Sequence, residues 1–148
     1  MERLEELEEQ ARALGVLVDY GILRETDGVD GLYLSWPAGS VILVNAWRSK
    51  EKQVIALAEE LGHHLRTSGD ALARDAVASR KREQAGRAWS YQALMPPEKV
   101  ARAVRSGLCS PWELAEHFGV TDGFVREAVA YYQRKAALPV QCGWCSIG

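Results

Sequence analysis

The sequence predicts an α+β protein, because helical patterns and strand-like patterns occupy separate stretches of the chain. Residues 16–47 are rich in β-type residues around a short turn, and helical periodicity both precedes and follows them. The chain has 148 residues, of which 47% are apolar, so it can bury one good core. We therefore expect a small domain with a short β-hairpin or sheet among several helices.

The N-terminal part is predicted to contain one helix followed by three strand-like runs. The helix is indicated by apolar residues at helical spacing: Leu4, Leu7, Ala11 and Leu14. Gly15 is a natural stop for this helix. Residues 16–24 are strand-like. Two more β-rich runs, 31–36 and 40–47, flank Pro37-Ala38-Gly39 and predict a hairpin.

Residues 50–66 are predicted to form a helix of about four or five turns, since no proline interrupts them. Apolar residues recur there at the helical period: Val54, Leu57, Ala58, Leu61 and Leu65. Glu59 and His63 fall nearly opposite this apolar stripe on a helical wheel. They belong either to a solvated polar face or to a site that a second element covers.

Residues 71–95 predict a second long helix, because they lack proline and are rich in alanine, arginine, lysine and glutamine. Glu83 shares one face with small or apolar residues: Ala76, Ser79, Gly86, Ser90 and Leu94. Small residues allow another backbone to come close, so we expect Glu83 to turn inward. A buried carboxylate is costly unless it binds a metal or a cation, and an ion pair with Arg87 is the alternative.

The segment from Glu59 to His63 has the spacing of the HExxH zinc motif, with glutamate in place of the first histidine. In that motif two side chains four residues apart lie on one face of a helix and bind zinc, while the glutamate between them is the general base. Glu59 and His63 would thus be the ligand pair, and Glu60 the base. A carboxylate is an accepted zinc ligand.

Two separated motifs carry a family resemblance. The first is Ala58-Glu59-Glu60-Leu61-Gly62-His63-His64, and the second comprises Lys81-Arg82-Glu83, Trp89, Tyr91 and Leu94-Met95-Pro96. Together they resemble the ImmA/IrrE family of metallo-endopeptidases, a small zincin-like group that phages and mobile elements often encode. Glu83, Gly86 and Trp89 keep the family's spacing of glutamate, small residue and aromatic residue after an HELGH-type helix. The resemblance covers roughly residues 30–133.

The resemblance implies that Glu60 activates a metal-bound water and that His63 and Glu83 bind the metal. Glu59 stands in the place of the first histidine ligand, which is the main departure from the family. The implied metal is zinc. With two carboxylates and one imidazole as ligands, a zinc site would be formally neutral. The zinc would then be a weaker Lewis acid, or the site would bind manganese or iron in preference to zinc.

Groups around this helix add further expectations. In zincins a hairpin edge before the metal helix commonly presents a strand to the substrate backbone, so the predicted hairpin either does this or only covers the core. We expect His64 to form a hydrogen bond with a neighbouring carboxylate, and Arg87 to form one with the carboxylate of Glu83.

Two classes of function follow from the resemblance. The first is a metal-dependent endopeptidase that cleaves a regulatory protein, which would be a helix-turn-helix repressor encoded nearby. The alternative is a non-catalytic regulator of the same fold that binds a repressor or DNA partner. In that case its metal site is degenerate, because Glu59 replaces the first histidine. Glu60 favours the enzyme, because a scaffold needs no base beside the ligand pair. Glu59 in place of histidine favours the regulator.

The C-terminal third is predicted to hold two helices. Ser110-Pro111-Trp112-Glu113 is a capping box with proline at the first helical position, and its helix runs to about Phe118. Gly119 ends that helix, and Thr121 can cap the next one, which continues to about Arg134. Ala115, Gly119 and Val125 have the spacing of a helix-turn-helix.

The start of the last helix offers little positive charge for phosphate. Its residues there are Asp122, Gly123, Arg126 and Glu127. Together with a net charge of -2, this composition argues against DNA binding and against a general polyanion-binding surface. We expect the lobe to dock on the core or on a protein partner, with Trp112 and Tyr132 either as exposed anchors or as part of the core.

These observations predict a zincin-like metallopeptidase core over residues 1–98, a helix-turn-helix-like lobe over 99–135 and a tail over 136–148. Cys142 and Cys145 form a lone C-x-x-C pair in the tail without the second ligand pair of a structural zinc site, so we expect an exposed tail. No apolar run reaches about 18 residues and the N-terminus is acidic, so we expect a cytoplasmic protein without membrane segments. The oligomeric state is not predicted.

Overall fold

The computed structural model describes residues 2–21, 29–67 and 76–135, and these residues form six helices and three strands. In chain order the elements are α1 (Glu2–Ala13), β1 (Val16–Gly21), β2 (Gly31–Trp36), β3 (Gly39–Asn45), α2 (Lys50–Thr67), α3 (Ala76–Leu94), α4 (Pro97–Arg105), α5 (Pro111–Phe118) and α6 (Asp122–Arg134). The predicted α+β class is confirmed. The predicted strand residues 22–24, the predicted helix residues 71–75 and the tail with Cys142 and Cys145 lie outside the described residues.

The three strands form one sheet in the order β1-β3-β2. Strands β2 and β3 pair antiparallel, from Gly31 opposite Val44 to Trp36 opposite Gly39, which confirms the predicted hairpin. Strand β1 pairs parallel with β3, with Leu17 opposite Val41. The sequence indicated the strands but not this central position of β3.

One side of the sheet, the inner face, packs against α1 and α2. On the inner face Val16, Ile42 and Val44 are buried. The buried apolar residues of the two helices are Leu7, Ala11, Val54, Ala56, Leu57, Ala58 and Leu61. The predicted apolar stripe of α2 is therefore confirmed as far as Leu61, whereas Leu65 is 38% exposed. Burial of these side chains is the main stabilisation of the contact between sheet and helices.

Asn45, the last residue of β3, is buried and fixes the entry to α2. Its side-chain amide donates to the carbonyl oxygen of Val29 at 3.0 Å, and its Oδ1 accepts from the backbone N–H of Trp47 at 3.0 Å. Nearby, the Nε of Arg48 donates to the Oδ1 of Asp30 at 2.6 Å. These bonds tie the chain before β2 to the turn that leads into α2.

The chain divides into two compact units, Met1–Ser90 and Tyr91–Gly148. The sheet, α1, α2 and most of α3 belong to the first unit, and α4, α5 and α6 belong to the second. The predicted boundary at residue 98 falls inside the second unit. Within the described part of the chain, no helix has both the length and the apolar character needed to cross a membrane.

The helix boundaries predicted for the second unit are confirmed. The Oγ of Ser110 accepts from the N–H of Glu113 at 3.4 Å, and the Oε1 of Glu113 accepts from the N–H of Ser110 at 3.3 Å, so the capping box is complete. Gly119 follows α5 with φ of 71°, a conformation that glycine adopts without steric cost. Thr121 Oγ1 accepts from the N–H of Phe124 at 3.1 Å and starts α6.

The two predicted aromatic anchors of the second unit lie in different environments. Tyr132 is buried, and its hydroxyl donates to the carbonyl oxygen of Met95 at 2.7 Å. Trp112 is 60% exposed. Tyr132 is therefore part of the core, whereas Trp112 remains available as a surface residue. Ala115 and Val125 are both buried, as helix-turn-helix spacing requires.

Candidate active site

Helix α2 directs two pairs of predicted site residues toward two different neighbours. Glu59 and His63 lie one turn apart where α2 crosses α3. Glu60 and His64 also lie one turn apart and contact strand β2. One helix thus carries four polar side chains between β2 and α3.

The crossing of α2 and α3 is a contact between two glycines. A Cβ atom on Gly62 would lie 2.5 Å from the carbonyl oxygen of Gly86 and 2.9 Å from its Cα. Neither backbone atom can move away as a flexible side chain could. The close approach expected from the small residues of the second helix is therefore confirmed, and both glycines are required for it.

The imidazole of His63 lies against the same place on α3. A Cβ atom on Gly86 would lie 2.7 Å from the Nε2 of His63 and still closer to its Cδ2, and 3.2 Å from the carbonyl oxygen of Glu59. The ring therefore occupies the volume that any larger residue at position 86 would need. This is why a glycine is found one turn after Glu83.

His63 is also held by Glu60. Its Nδ1 lies 2.9 Å from the Oε1 of Glu60, and both side chains are largely shielded from water, with exposures of 23% and 13%. This hydrogen bond raises the pKa of His63 above its ordinary value. Burial lowers this pKa, whereas the negative charges of Glu60, Glu59 and Glu83 raise it further. All the predicted site residues therefore lie within electrostatic reach of one imidazole.

Glu83 is exposed, so the prediction that it turns inward was wrong. The contact of α3 with α2 is made at Gly86, whereas the side chain of Glu83, about one turn earlier, is exposed. An exposed carboxylate keeps its hydration, which avoids the cost of burial. Between the described side chains of Glu83 and Arg87 there is no ion pair, so that alternative was wrong as well.

A metal at this site has suitable donors but no preformed set of ligands. In the parts of the chain that the structure describes, no three His, Cys, Asp or Glu side chains are grouped so as to hold an ion. The donor chemistry of Glu59, His63 and Glu83 nevertheless suits zinc, which accepts imidazole nitrogen and carboxylate oxygen.

Strand β2 contacts the other pair of residues. Gly31 lies over α2, where a Cβ atom would be 3.3 Å from the Cβ of Ala56 and 3.5 Å from the Cγ of Glu60. Two residues further along the inner face, the hydroxyl of Tyr33 lies 2.7 Å from the Nδ1 of His64. The two rings meet edge to face with centroids 5.6 Å apart. The prediction that His64 bonds a carboxylate was wrong, because its partner is this phenol.

The hydroxyl of Tyr33 is also the first group in a short series of hydrogen bonds between side chains. Its hydroxyl donates to the Oγ of Ser40 at 3.2 Å, and Ser40 donates to the Oγ of Ser35 at 3.5 Å. Sequence reasoning did not identify Tyr33 or Gly31 as part of the site. The available signal was strand alternation, which places residues 31, 33 and 35 on one face of β2.

Comparison with known proteins adds one positive finding. The sequence pattern of one peptidase family, which is described as the IrrE N-terminal-like domain, matches residues 6–129 of this chain. The match spans more than half of the 148 residues and includes α2, α3 and the whole sheet. No curated protein sequence matches the chain.

Proposed function

The chain belongs to the ImmA/IrrE family of metallopeptidases, and on this basis we propose that it is a metal-dependent endopeptidase that cleaves a regulatory protein. By the resemblance described above, the regulatory protein is a helix-turn-helix repressor. The observation that carries the proposal is the position of His63, which lies against Gly86 of α3 and is held by Glu60 at 2.9 Å.

We assign metal binding to Glu59, His63 and Glu83. The negative charges of both carboxylates raise the pKa of His63, so a divalent cation bound among these groups would relieve their mutual repulsion. When bound, zinc supplies Lewis-acid polarisation of the scissile carbonyl, and manganese or iron are the alternatives that a carboxylate-rich site favours.

Glu60 is the general base of this proposal. Its Oε1 is oriented by the hydrogen bond with His63, and its Cγ lies against β2 at Gly31, so the carboxylate is confined between α2 and the sheet. In the reaction it takes a proton from the attacking water and delivers that proton to the leaving amine of the cleaved peptide. Both transfers need a carboxylate, because an amide in the same place cannot accept the proton.

The test compares Glu60→Gln with Glu51→Gln, which changes an exposed residue in the first turn of the same helix. Each variant is co-expressed with the helix-turn-helix repressor encoded beside its gene, and the length of the repressor is measured by mass spectrometry. We expect cleavage by the wild type and Glu51→Gln, and a rate at least about a hundredfold lower with Glu60→Gln. Metal content and melting temperature of Glu60→Gln should stay near those of the wild type. Unchanged cleavage by Glu60→Gln would refute its role as the base.

The second candidate is a non-catalytic regulator that binds a repressor or DNA partner. It is favoured by one observation: Glu59 stands where the family has its first histidine ligand. In this case the wild type and Glu60→Gln would both relieve repression in the co-expression experiment while the repressor keeps its full length. The promoter activity of a reporter gene distinguishes this outcome from cleavage.

A further inference from the structure

The side of the sheet opposite α1 and α2 forms a second surface, which we call the outer sheet face. Its residues are Leu17 and Asp19 of β1, Leu32, Leu34 and Trp36 of β2, and Val41 and Leu43 of β3. The register aligns these residues in rows across the sheet. Leu17 and Leu34 flank Val41 in one row, and Asp19 and Leu32 flank Leu43 in the next.

The outer sheet face is apolar although it is open to solvent. Leu17 is 68% exposed, Leu34 48% and Trp36 47%. A sheet with one solvated face normally alternates apolar residues on the core side with polar residues on the water side. Of the seven residues named above only Asp19 is polar, so the outward positions of β2, and those of β3 at Val41 and Leu43, lack the polar residues expected on a solvated face. A contiguous apolar patch of this kind marks an interaction surface.

The width and length of the outer sheet face indicate which kind of partner can cover it. Three strands spaced by about 4.8 Å and about six residues long give a surface roughly 10 Å wide and 20 Å long. A stable dimer buries about 800 Å² on each partner, which is several times this projected area. One α-helix has a diameter of about 10 Å, and about 13 residues of helix span 20 Å. The face therefore fits a single helix better than a second copy of the sheet.

Asp19 adds a requirement on charge. It is the only charged side chain on the outer sheet face, and within the described residues it forms no ion pair with a cation. Its Oδ1 accepts from the backbone N–H of Tyr20 at 2.9 Å. A lysine or arginine at the edge of the bound helix would complement this carboxylate.

We propose that the outer sheet face binds one amphipathic helix of a partner protein. The helix presents leucine-type residues at helical spacing to Leu17, Leu34 and Val41 and a basic residue to Asp19. Because the surface is on the opposite side of the sheet from α2, a bound helix leaves Glu60 and His63 open. The proposal does not depend on the chemistry of that site.

The test is a titration of the nitrogen-15-labelled full chain with a synthetic 14-residue amphipathic peptide that carries leucines on one face and one lysine beside them. We expect the backbone amide signals of Leu34, Val41 and Leu43 to shift. Replacing lysine by glutamate in the peptide should weaken binding about threefold, and Asp19→Lys should reverse this preference. Leu34→Ser should weaken binding about tenfold. Leu14→Ser is the matched control, because Leu14 is 42% exposed but lies after α1 and not in the sheet.

Three results would overturn the proposal. One is the absence of shifts up to about millimolar peptide, and another is equal loss of affinity in Leu34→Ser and Leu14→Ser. The third is the appearance of the same shifts on raising the protein concentration without peptide, which would assign the face to a second copy of the chain. None of these readouts depends on peptidase activity, so failure here and failure of the proposed function are distinguishable.

Discussion

The imidazole of His63 occupies the volume that a side chain at residue 86 would fill. A Cβ atom there would lie 2.7 Å from the Nε2 of His63, well inside van der Waals contact. One turn earlier on α2, the carbonyl oxygen of Glu59 is 3.2 Å from the same point. The position of a predicted metal ligand on one helix therefore depends on the absence of a side chain on another.

This dependence predicts a large effect of Gly86→Ala. The added methyl group must displace either the His63 ring or the whole of α3, so we expect a loss of about 1–3 kcal/mol of stability and a clear loss of zinc affinity. Gly123→Ala is the control, because its Cβ would meet nothing within 4 Å in helix α6 and alanine favours helices. Thermal unfolding and zinc calorimetry measure the two effects. Equal behaviour of the two variants would contradict the packing described for His63.

A second prediction concerns the unusual ligand set. Glu59→His replaces a carboxylate by a neutral imidazole, so the bound zinc keeps more positive charge and polarises a carbonyl more strongly. We expect cleavage of the co-expressed repressor to become faster and zinc to be preferred more strongly over manganese. The comparison variant is Glu59→Gln, which also removes the charge but is a poor ligand. If Glu59→Gln and Glu59→His behave alike, Glu59 is not a ligand.

A third prediction addresses the contact between β2 and α2. Tyr33→Phe removes the hydroxyl that bonds to His64 at 2.7 Å but keeps the edge-to-face ring contact. We expect a loss of about 1 kcal/mol in the free energy of unfolding. The side-chain nitrogen-15 shifts of His64 should change, while those of His63, which bonds to Glu60, should stay the same. A Tyr33→Phe spectrum with unchanged His64 signals would show that the two side chains do not bond in solution.

A fourth prediction concerns stability at alkaline pH. The hydroxyl of Tyr20 donates to the Oε2 of Glu8 at 2.6 Å, and burial together with this carboxylate raises the pKa of Tyr20 well above its ordinary value. Because the pKa is higher in the folded state, the stabilisation is complete below about pH 10 and is lost as the pH rises above that value. Urea unfolding of the wild type and Tyr20→Phe should therefore give curves that differ at pH 8 and converge above pH 10. A difference that stays constant with pH would argue against this bond.

A fifth prediction tests the start of α5. Ser110→Ala removes the oxygen that accepts from the N–H of Glu113, so we expect a loss of about 1 kcal/mol. Glu113→Gln keeps an acceptor for the N–H of Ser110 and should cost less than Ser110→Ala. Chemical denaturation of the two variants measures the difference. A larger effect from Glu113→Gln would mean that the charge of Glu113, rather than the capping bonds, stabilises this helix.

Local features of this protein were predictable from sequence, whereas contacts between distant elements were not. The capping box at Ser110, the end of α5 at Gly119 and the hairpin each depend on residues that are close in the chain. The bond between Tyr33 and His64 and the pairing of β1 with β3 depend on how separate elements dock. Periodicity fixes the face on which a residue lies, but it does not reveal how far the neighbouring element extends over that face.

The exposure of Glu83 illustrates this limit. Its face on α3 was correctly recognised as the one that meets α2, and the glycine contact at Gly62 and Gly86 bears this out. The side chain of Glu83 is nevertheless exposed to water. The grouping of Glu83 with His63 was predicted from the family resemblance, whereas the pattern of small residues on α3 did not reveal that Glu83 is exposed.

The central position of β3 also has a consequence for the order of folding. Strands β2 and β3 are neighbours in the chain and can pair on a time scale of about 1–10 microseconds. Pairing of β1 with β3 requires the closure of a longer loop. We therefore expect the hairpin to be formed in the folding transition state and β1 to join afterwards. Substitutions at the hairpin turn should slow folding, whereas Val16→Ala in β1 should mainly accelerate unfolding, and stopped-flow kinetics in denaturant can separate the two. The strand that completes the sheet would then be the first to leave it, and the N-terminal helix that packs on β1 would leave with it.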